Sequence, residues 1–252
     1  VAGDRRAVVA CLLRRRRQSV DMFFILRAAA DAAARGPSSS SRWGGQVGFP
    51  GGHVEGSETD HEAVARECEE EVGLSLDSPG AYRFMGCVRD RAVPRMSPDG
   101  PRLVVGCRVY EQLVDESPRL DAREVAACGW APLATLLPEG CAVSLEQSGI
   151  RGLAPSSRWG AFPSVPLPVS DLNVSGDDLE EEFARAQFVL WGLTMTIVSD
   201  LLVSSGLRSG PIALSAASSA GASPPTYERL EKAGAVLLGA GPDRATPRHA
   251  RL

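Results

Sequence analysis

"GGQVGFPGGHVEGSETDHEAVARECEEEVGL", residues 44–74, sets six glycines ahead of four glutamates crowded into five positions, Glu67, Glu69, Glu70 and Glu71. Thr59 and Asp60 are both able to cap a helix that begins there, and Gly73 is suited to end it. Within that helix Ala65, Cys68 and Val72 recur at helical spacing and are expected to face a core. Glu67, Glu70 and Glu71 stand at i, i+3 and i+4, so they share another face. Like charges at that spacing repel by about 0.2–0.5 kcal/mol per pair. A helix carrying them needs an offsetting charge, and a cation answers that need. The alternative is a merely solvated acidic face.

Strands are expected on both sides of this unit. "AVVACLL" (7–13) and "DMFFILRA" (21–28) read as a hairpin turned by Arg14–Arg17, the one basic run, which is read as a solvated turn. "QVGFPGG" (46–52) reads as a short strand ending in a Pro-Gly-Gly bend. Further strands are expected at 82–90, 102–113 and 124–133, the last running into a short helix, and a long helix at 178–206. "AAADAAARGPSSSSRWG" has the composition of a surface insertion. From about Arg208 the chain turns Ser/Ala/Gly/Pro-rich, which predicts a domain over 1–207 and a largely disordered tail over 208–252, with one isolated helix at 226–238.

Composition narrows the function. The 252 residues are 44% apolar and 23% charged with a net charge of −4, so no global basicity points to nucleic acid or an anionic membrane. No stretch approaches the roughly 18 apolar residues of a membrane span. The six cysteines show neither a C-x-x-C pair nor metal-type spacing and predict free thiols in a reducing compartment. The start lacks both an initiator Met and a signal-peptide pattern, which leaves room for residues upstream.

Measured from Gly52, the residues run Gly52, five residues, Glu58, seven residues, then "RECEEEVGL". This resembles the signature of the Nudix hydrolases, Gly-x5-Glu-x7-Arg-Glu-U-x-Glu-Glu-x-Gly-U, with U a bulky aliphatic. Arg66, Glu67, Glu70, Glu71, Gly73 and Leu74 fall in register, and Cys68 takes the first aliphatic position. Seven fixed residues recur by chance on the order of once in 10⁸ windows. The resemblance implies an α/β fold, an α/β/α sandwich around a mixed sheet, and Mg²⁺- or Mn²⁺-dependent hydrolysis of a diphosphate linkage. It makes Glu67, Glu70, Glu71, Arg66 and Glu58 the catalytic set, with Glu67, Glu70, Glu71 and a Gly52 carbonyl as metal ligands. Mg²⁺ takes oxygen ligands and leaves positions for phosphate, which suits such a set. Arg66 is expected to tie down Glu58 in a structural role. For the general base the candidates are Glu67 or a loop carboxylate, of which Glu124 is the nearest guess.

A second resemblance is to family members that act on coenzyme A. Gly45, then "QVG", then Phe49-Pro50-Gly51-Gly52 match the second half of their upstream motif, and "FFILRA" supplies Arg27 and Ala28 for the first. Ile25 replaces a Thr, the Ser-rich insertion breaks the spacing, and Arg42 lies one residue too close to Gly45. "FVLWGLTMTIVSDLL" (188–202) is similar to a late helix of the same group. The implied substrate is coenzyme A or an acyl-coenzyme A, with Arg27, Arg42, Gly51 and Gly52 binding it. The alternatives are another nucleoside diphosphate linkage, such as ADP-ribose, a dinucleotide or a nucleoside triphosphate, and a binding module that does not cleave its ligand. The final Ala250-Arg251-Leu252 fits the Ser-Lys-Leu type of peroxisomal address, which implies an import receptor as partner and a peroxisomal, otherwise cytoplasmic, location.

Overall fold

The computed structural model describes residues 4–17, 19–28, 44–93, 101–137, 143–144, 163–176 and 179–212. Arg42, Cys141, residues 213–252 and the C-terminal tripeptide lie outside them. Strands β1 (Arg5–Arg15), β2 (Val20–Arg27), β3 (Val47–Gly48) and β4 (Gly51–His53) precede helix α1 (Asp60–Val72). Then come β5 (Tyr82–Val93), β6 (Leu103–Gln112), β7 (Val125–Pro132) with a short 3-10 turn, β8 (Val143–Ser144), β9 (Pro163–Pro166) and β10 (Ser170–Val174). Helix α2 (Glu181–Ala186), β11 (Val189–Trp191) and helix α3 (Gly192–Ser204) close the described chain.

The main sheet runs β10-β7-β2-β1-β6-β5, with β3 on β2 and β4 on β1. It is mixed, because β1 and β6 pair in parallel from Arg5↔Leu103 to Arg14↔Gln112 while the other pairs are antiparallel. Alternation along β1 divides its side chains between two cores. Val8, Ala10 and Leu12, with Phe23 and Ile25, pack against Ala63, Val64, Cys68 and Val72 of α1. Ala7, Cys11 and Leu13, with Met22 and Phe24, share the other core with Ile197, Val198 and Leu202 of α3. The α/β/α sandwich expected from the sequence is therefore present, with α1 on one face and α3 on the other.

Helix α1 is set by its ends. Thr59 Oγ1 accepts the Glu62 N–H at 3.2 Å and the Glu62 carboxylate accepts the Thr59 N–H at 2.7 Å, a complete capping box. At the far end Gly73 turns left-handed (φ 64), and its N–H and that of Leu74 reach the Glu69 and Cys68 carbonyls. Arg6 grips Asp60 in the first turn at 2.5 and 2.6 Å, tying the helix start to β1.

Three expectations are corrected. Arg14 is not part of a solvated turn. Only 6% exposed, it pairs with Asp171 at 2.6 Å and Asp21 at 3.2 Å, and its guanidinium lies 4.2 Å from the Trp130 ring centroid. Arg15, Arg16 and Arg17 are exposed as a turn requires. The long helix at 178–206 is broken. Val189–Trp191 pairs antiparallel with β9, and Gly192 at φ 61 turns the chain into α3. A long apolar run does not reveal by periodicity that Val189, Leu190 and Trp191 will be claimed by a neighbouring strand. Finally, packing continues past residue 207. Arg208 Nη1 donates to the Leu136 and Leu137 carbonyls at 2.9 Å each, and the Ile212 N–H donates to Ser199 Oγ at 2.7 Å. Among the described residues Cys11, Cys68, Cys87, Cys107 and Cys128 are free thiols, and no helix is long and apolar enough to cross a membrane.

Candidate active site

Short strand β4 lies antiparallel on β1, with Val9 opposite Gly51 and Val8 opposite Gly52, and the loop that follows leads directly into α1. The approach at Gly51 is too close for any side chain. A Cβ there would stand 2.3 Å from the Val8 carbonyl oxygen, and the residue adopts φ +146. Next to it, a Cβ on Gly52 would meet the Glu67 carboxylate at 2.3 Å. The two glycines thus let the main chain sit directly on the acidic helix.

Arg66 fastens the loop to that helix. Its Nε and Nη2 donate to the two Glu58 oxygens at 2.8 and 3.1 Å, and Nη2 also donates to the His53 carbonyl at 3.1 Å. The guanidinium holds the Glu58 carboxyl below the ordinary carboxylate range. Nη1 turns the other way, to Glu67 and Glu70, at 3.1 Å each. Removing so many contacts should show. Arg66→Met is expected to lower stability on the order of 2 kcal/mol, a Tm fall of about 4–8 °C. Arg66→Lys should recover only part of it, because an ammonium lacks the planar fork. Thermal melts of both variants check this, and an unchanged Tm would contradict the tether.

The glutamates of α1 are not equivalent. Glu70 is exposed, Glu67 is mostly covered, and Glu71 is 1% exposed beneath the loop. Glu71 Oε2 accepts the Gly51 N–H at 2.9 Å. Its Oε1 has Arg27 Nη2 at 2.9 Å as an ionic neighbour but receives no hydrogen bond. Burial pushes the Glu71 carboxyl up to about 7, against the pull of Arg27 and the Gly51 N–H. Burial also raises Glu67, partly offset by Arg66, and the charge of Glu124 adds to both.

A cavity of about 300 Å³ opens over this unit. Arg27, Gly51, Gly52, Glu67 and Glu124 line its polar side. Arg27 reaches it from the end of β2, where its N–H and carbonyl bond to Gln46 and Gly45. The Ala28 N–H bonds to the Glu124 carbonyl at 2.8 Å, which sets the start of β7 beside it. The sequence offers Glu124 only as a nearest guess, and the structure sets it in the lining of the same cavity as Glu67. The apolar side includes Val105, Trp191, Leu193 and Ile197. The sequence places these in strand or helix core, and nothing in their spacing distinguishes a cavity wall from a core face.

In this side-chain arrangement no three acidic, imidazole or thiol groups among the described residues are gathered as an ion requires. Arg66 and Arg27 hold the acidic groups instead. The single ridge expected of Glu67, Glu70 and Glu71 is spread from solvent to core. The donor chemistry still fits a hard divalent cation: Glu71 Oε1 is buried and without a hydrogen bond, and the Glu67 oxygens lie against the Gly52 backbone.

Taken together, the sandwich, its glycine turn and the acidic helix define a class of domain by fold and by local geometry. The NUDIX domain model matches residues 3–147, more than half of the chain, and the chain belongs to that family. Divalent metal ions are generally used by its hydrolases. The chain is 28% identical over 173 residues to the uncharacterized protein C14C4.10c of Schizosaccharomyces pombe, covering 65% of this chain and 52% of that protein. It thus spans about half the length of the curated relative it matches. Among solved structures, it is similar to a MutT NUDIX hydrolase from Burkholderia pseudomallei (26% identity, 52% of this chain and 84% of that one, TM-score 0.36). It is also similar to the NUDIX domain of Shewanella oneidensis NrtR, solved with ADP ribose (18% identity, 54% and 78%, TM-score 0.39).

Proposed function

We propose that the protein hydrolyses the diphosphate linkage of coenzyme A or an acyl-coenzyme A, yielding 3′,5′-ADP and 4′-phosphopantetheine or its acylated form. The observation that carries this reading is a single cavity joining Gly51, Gly52 and Glu67 to Arg27 on one side and to an apolar wall on the other. Arg27 belongs to the part of the sequence that resembles the coenzyme A motif, and a guanidinium pairs bidentately with phosphate. Gly45 and the Phe49-Pro50-Gly51-Gly52 turn belong to the same resemblance.

Glu67 and Glu71, with Gly52, are the groups that would hold a divalent ion. That ion, when bound, supplies charge neutralisation at the phosphate and a more acidic water. The chain's own contribution is orientation and proton handling. Arg66 fixes Glu58 and the loop, and Gly51 fixes Glu71 through its N–H. Glu124, which lines the same cavity as Glu67, is the carboxylate that would take a proton from water. The glutamates of the signature are all retained, which favours turnover over mere binding.

The test is an assay of the purified protein with Mg²⁺ on coenzyme A and on ADP-ribose, with products separated by chromatography. The expected result is release of 3′,5′-ADP with a kcat/KM at least about tenfold above that for ADP-ribose. A preference for ADP-ribose or a dinucleotide would overturn the substrate assignment and leave a diphosphatase of another kind.

A further inference from the structure

The two oxygens of Glu71 are differently employed. Oε2 accepts the Gly51 N–H at 2.9 Å, so the main chain of the glycine turn occupies it. Oε1 receives no hydrogen bond although it is buried, and its charged neighbour is Arg27 Nη2 at 2.9 Å. A buried acceptor without a donor is costly unless a charge compensates it. Arg27 supplies the charge without the directed bond.

The main chain of Arg27 is fixed and its side chain is not. Its N–H donates to the Gln46 carbonyl at 3.0 Å, and its carbonyl accepts the Gly45 N–H at 2.9 Å. The side chain is 22% exposed and lines the cavity, and Glu71 is its one ion-pair partner among the described residues. Arg66 differs, since its fork is committed to both Glu58 oxygens. A guanidinium carries five N–H donors in a plane. One nitrogen of Arg27 stands at Glu71 Oε1, which leaves the rest of the fork for an anion in the cavity. A divalent ion held by Glu71 needs that same Oε1, because Oε2 is engaged by Gly51. The guanidinium and the ion therefore compete for one oxygen.

We infer that Arg27 couples the two ligands of the site: phosphate in the cavity draws its guanidinium off Glu71 Oε1 and opens that oxygen to a divalent ion, and an ion on Oε1 releases the guanidinium to phosphate. Each ligand tightens the other, and linkage requires the two factors to be equal. Toward the ion Arg27 is a positioning residue, because it acts through Glu71. The inference rests on the proposed reading of the site as one that binds metal and phosphate together, and not on which nucleotide is cleaved.

The test is the Mn²⁺ affinity of the protein at pH 8, read by electron paramagnetic resonance of the free ion, with and without an excess of 5′-AMP or 3′,5′-ADP. Neither nucleotide has a diphosphate linkage to cleave, and nucleotide without protein is the blank. In the intact protein the nucleotide is expected to tighten Mn²⁺ binding at least about tenfold. Arg27→Met should cut that factor to about threefold or less, the remainder coming from direct contact between phosphate and ion. Arg27→Lys keeps the charge but loses the fork, and should fall between the two. Calorimetric titration of the nucleotide with and without Mn²⁺ must return the same factors. Thermal melts verify folding, and Arg27→Lys carries the comparison if Arg27→Met does not fold. No effect of either nucleotide on Mn²⁺ affinity in the intact protein, or an undiminished factor in the folded variants, would overturn the inference. If the coupling holds but coenzyme A is not cleaved when Mg²⁺ is added, the substrate reading fails and this inference stands.

Discussion

Glu71→Gln is expected to reduce turnover by roughly 10³-fold or more while leaving the domain at least as stable as before above pH 7. The two effects share one cause. Glu71 is 1% exposed, and its one hydrogen bond comes from the Gly51 N–H. Burial opposes its charge and pushes the carboxyl from 4.5 up to about 7. A group whose folded value is raised contributes stability that is fully present below its unfolded value. That contribution is lost as pH rises through the folded one. For Glu71 the window is about 4.5 to 7, so without divalent ions stability should decline across it. Glutamine has no proton to lose. It can still accept the Gly51 N–H, so the decline should flatten and the Tm at pH 8 should not fall. The charge lost is the one that faces Arg27 and is best placed to hold an ion, hence the loss of activity. Melts at pH 5 and 8, with an Mg²⁺-dependent turnover assay, check both parts. Retained turnover would contradict the role given to Glu71.

Gly51→Ala and Gly52→Ala should behave as opposites. At Gly51 a Cβ would meet backbone, the Val8 oxygen at 2.3 Å and the Val9 Cα at 2.6 Å, and the φ of +146 is costly for any L side chain. Neither strand β1 nor β4 can move away without breaking the pairing that places the loop. The expected cost is on the order of 4 kcal/mol, enough to leave little folded protein. At Gly52 the obstacle is the far end of the Glu67 side chain, which can swing aside. That variant should fold within about 1 kcal/mol of the parent and lose at least tenfold in turnover, because Glu67 no longer lies against the loop. Denaturant unfolding and the same assay distinguish them. An unfolded Gly52→Ala, or a stable Gly51→Ala, would contradict this geometry.

The part of the site that follows from local chain direction was legible beforehand. Thr59 and Gly73 mark the ends of α1 by capping chemistry that involves only neighbouring residues. The register from Gly52 to Glu71 fixes which carboxylates share a helix. What the spacing did not reveal was depth. Glu67, Glu70 and Glu71 look alike in one dimension, yet β4 covers Glu71 and leaves Glu70 in solvent, an outcome set by a strand pairing with residues far upstream. Arg14 was misread for the same reason. Its partners Asp21 and Asp171 and the Trp130 ring come together only when β10 joins the sheet. The division of 178–206 into α2, β11 and α3 is also a tertiary event, since β9, which supplies the pairing, is separated from β11 by more than 20 residues. Local signals described the loop and helix, whereas the cavity over them required the long-range pairings.

The central claim is that Glu67 and Glu71, set against the glycine turn, hold a divalent ion for a phosphate anhydride. Titration with Mn²⁺ followed by electron paramagnetic resonance of the free ion measures this without reference to any substrate. The account predicts saturable binding by the intact protein, loss of at least tenfold in affinity with Glu67→Gln or Glu71→Gln, and little change with Glu69→Gln on the exposed side of α1. Binding that is indifferent to Glu67→Gln and Glu71→Gln would contradict it.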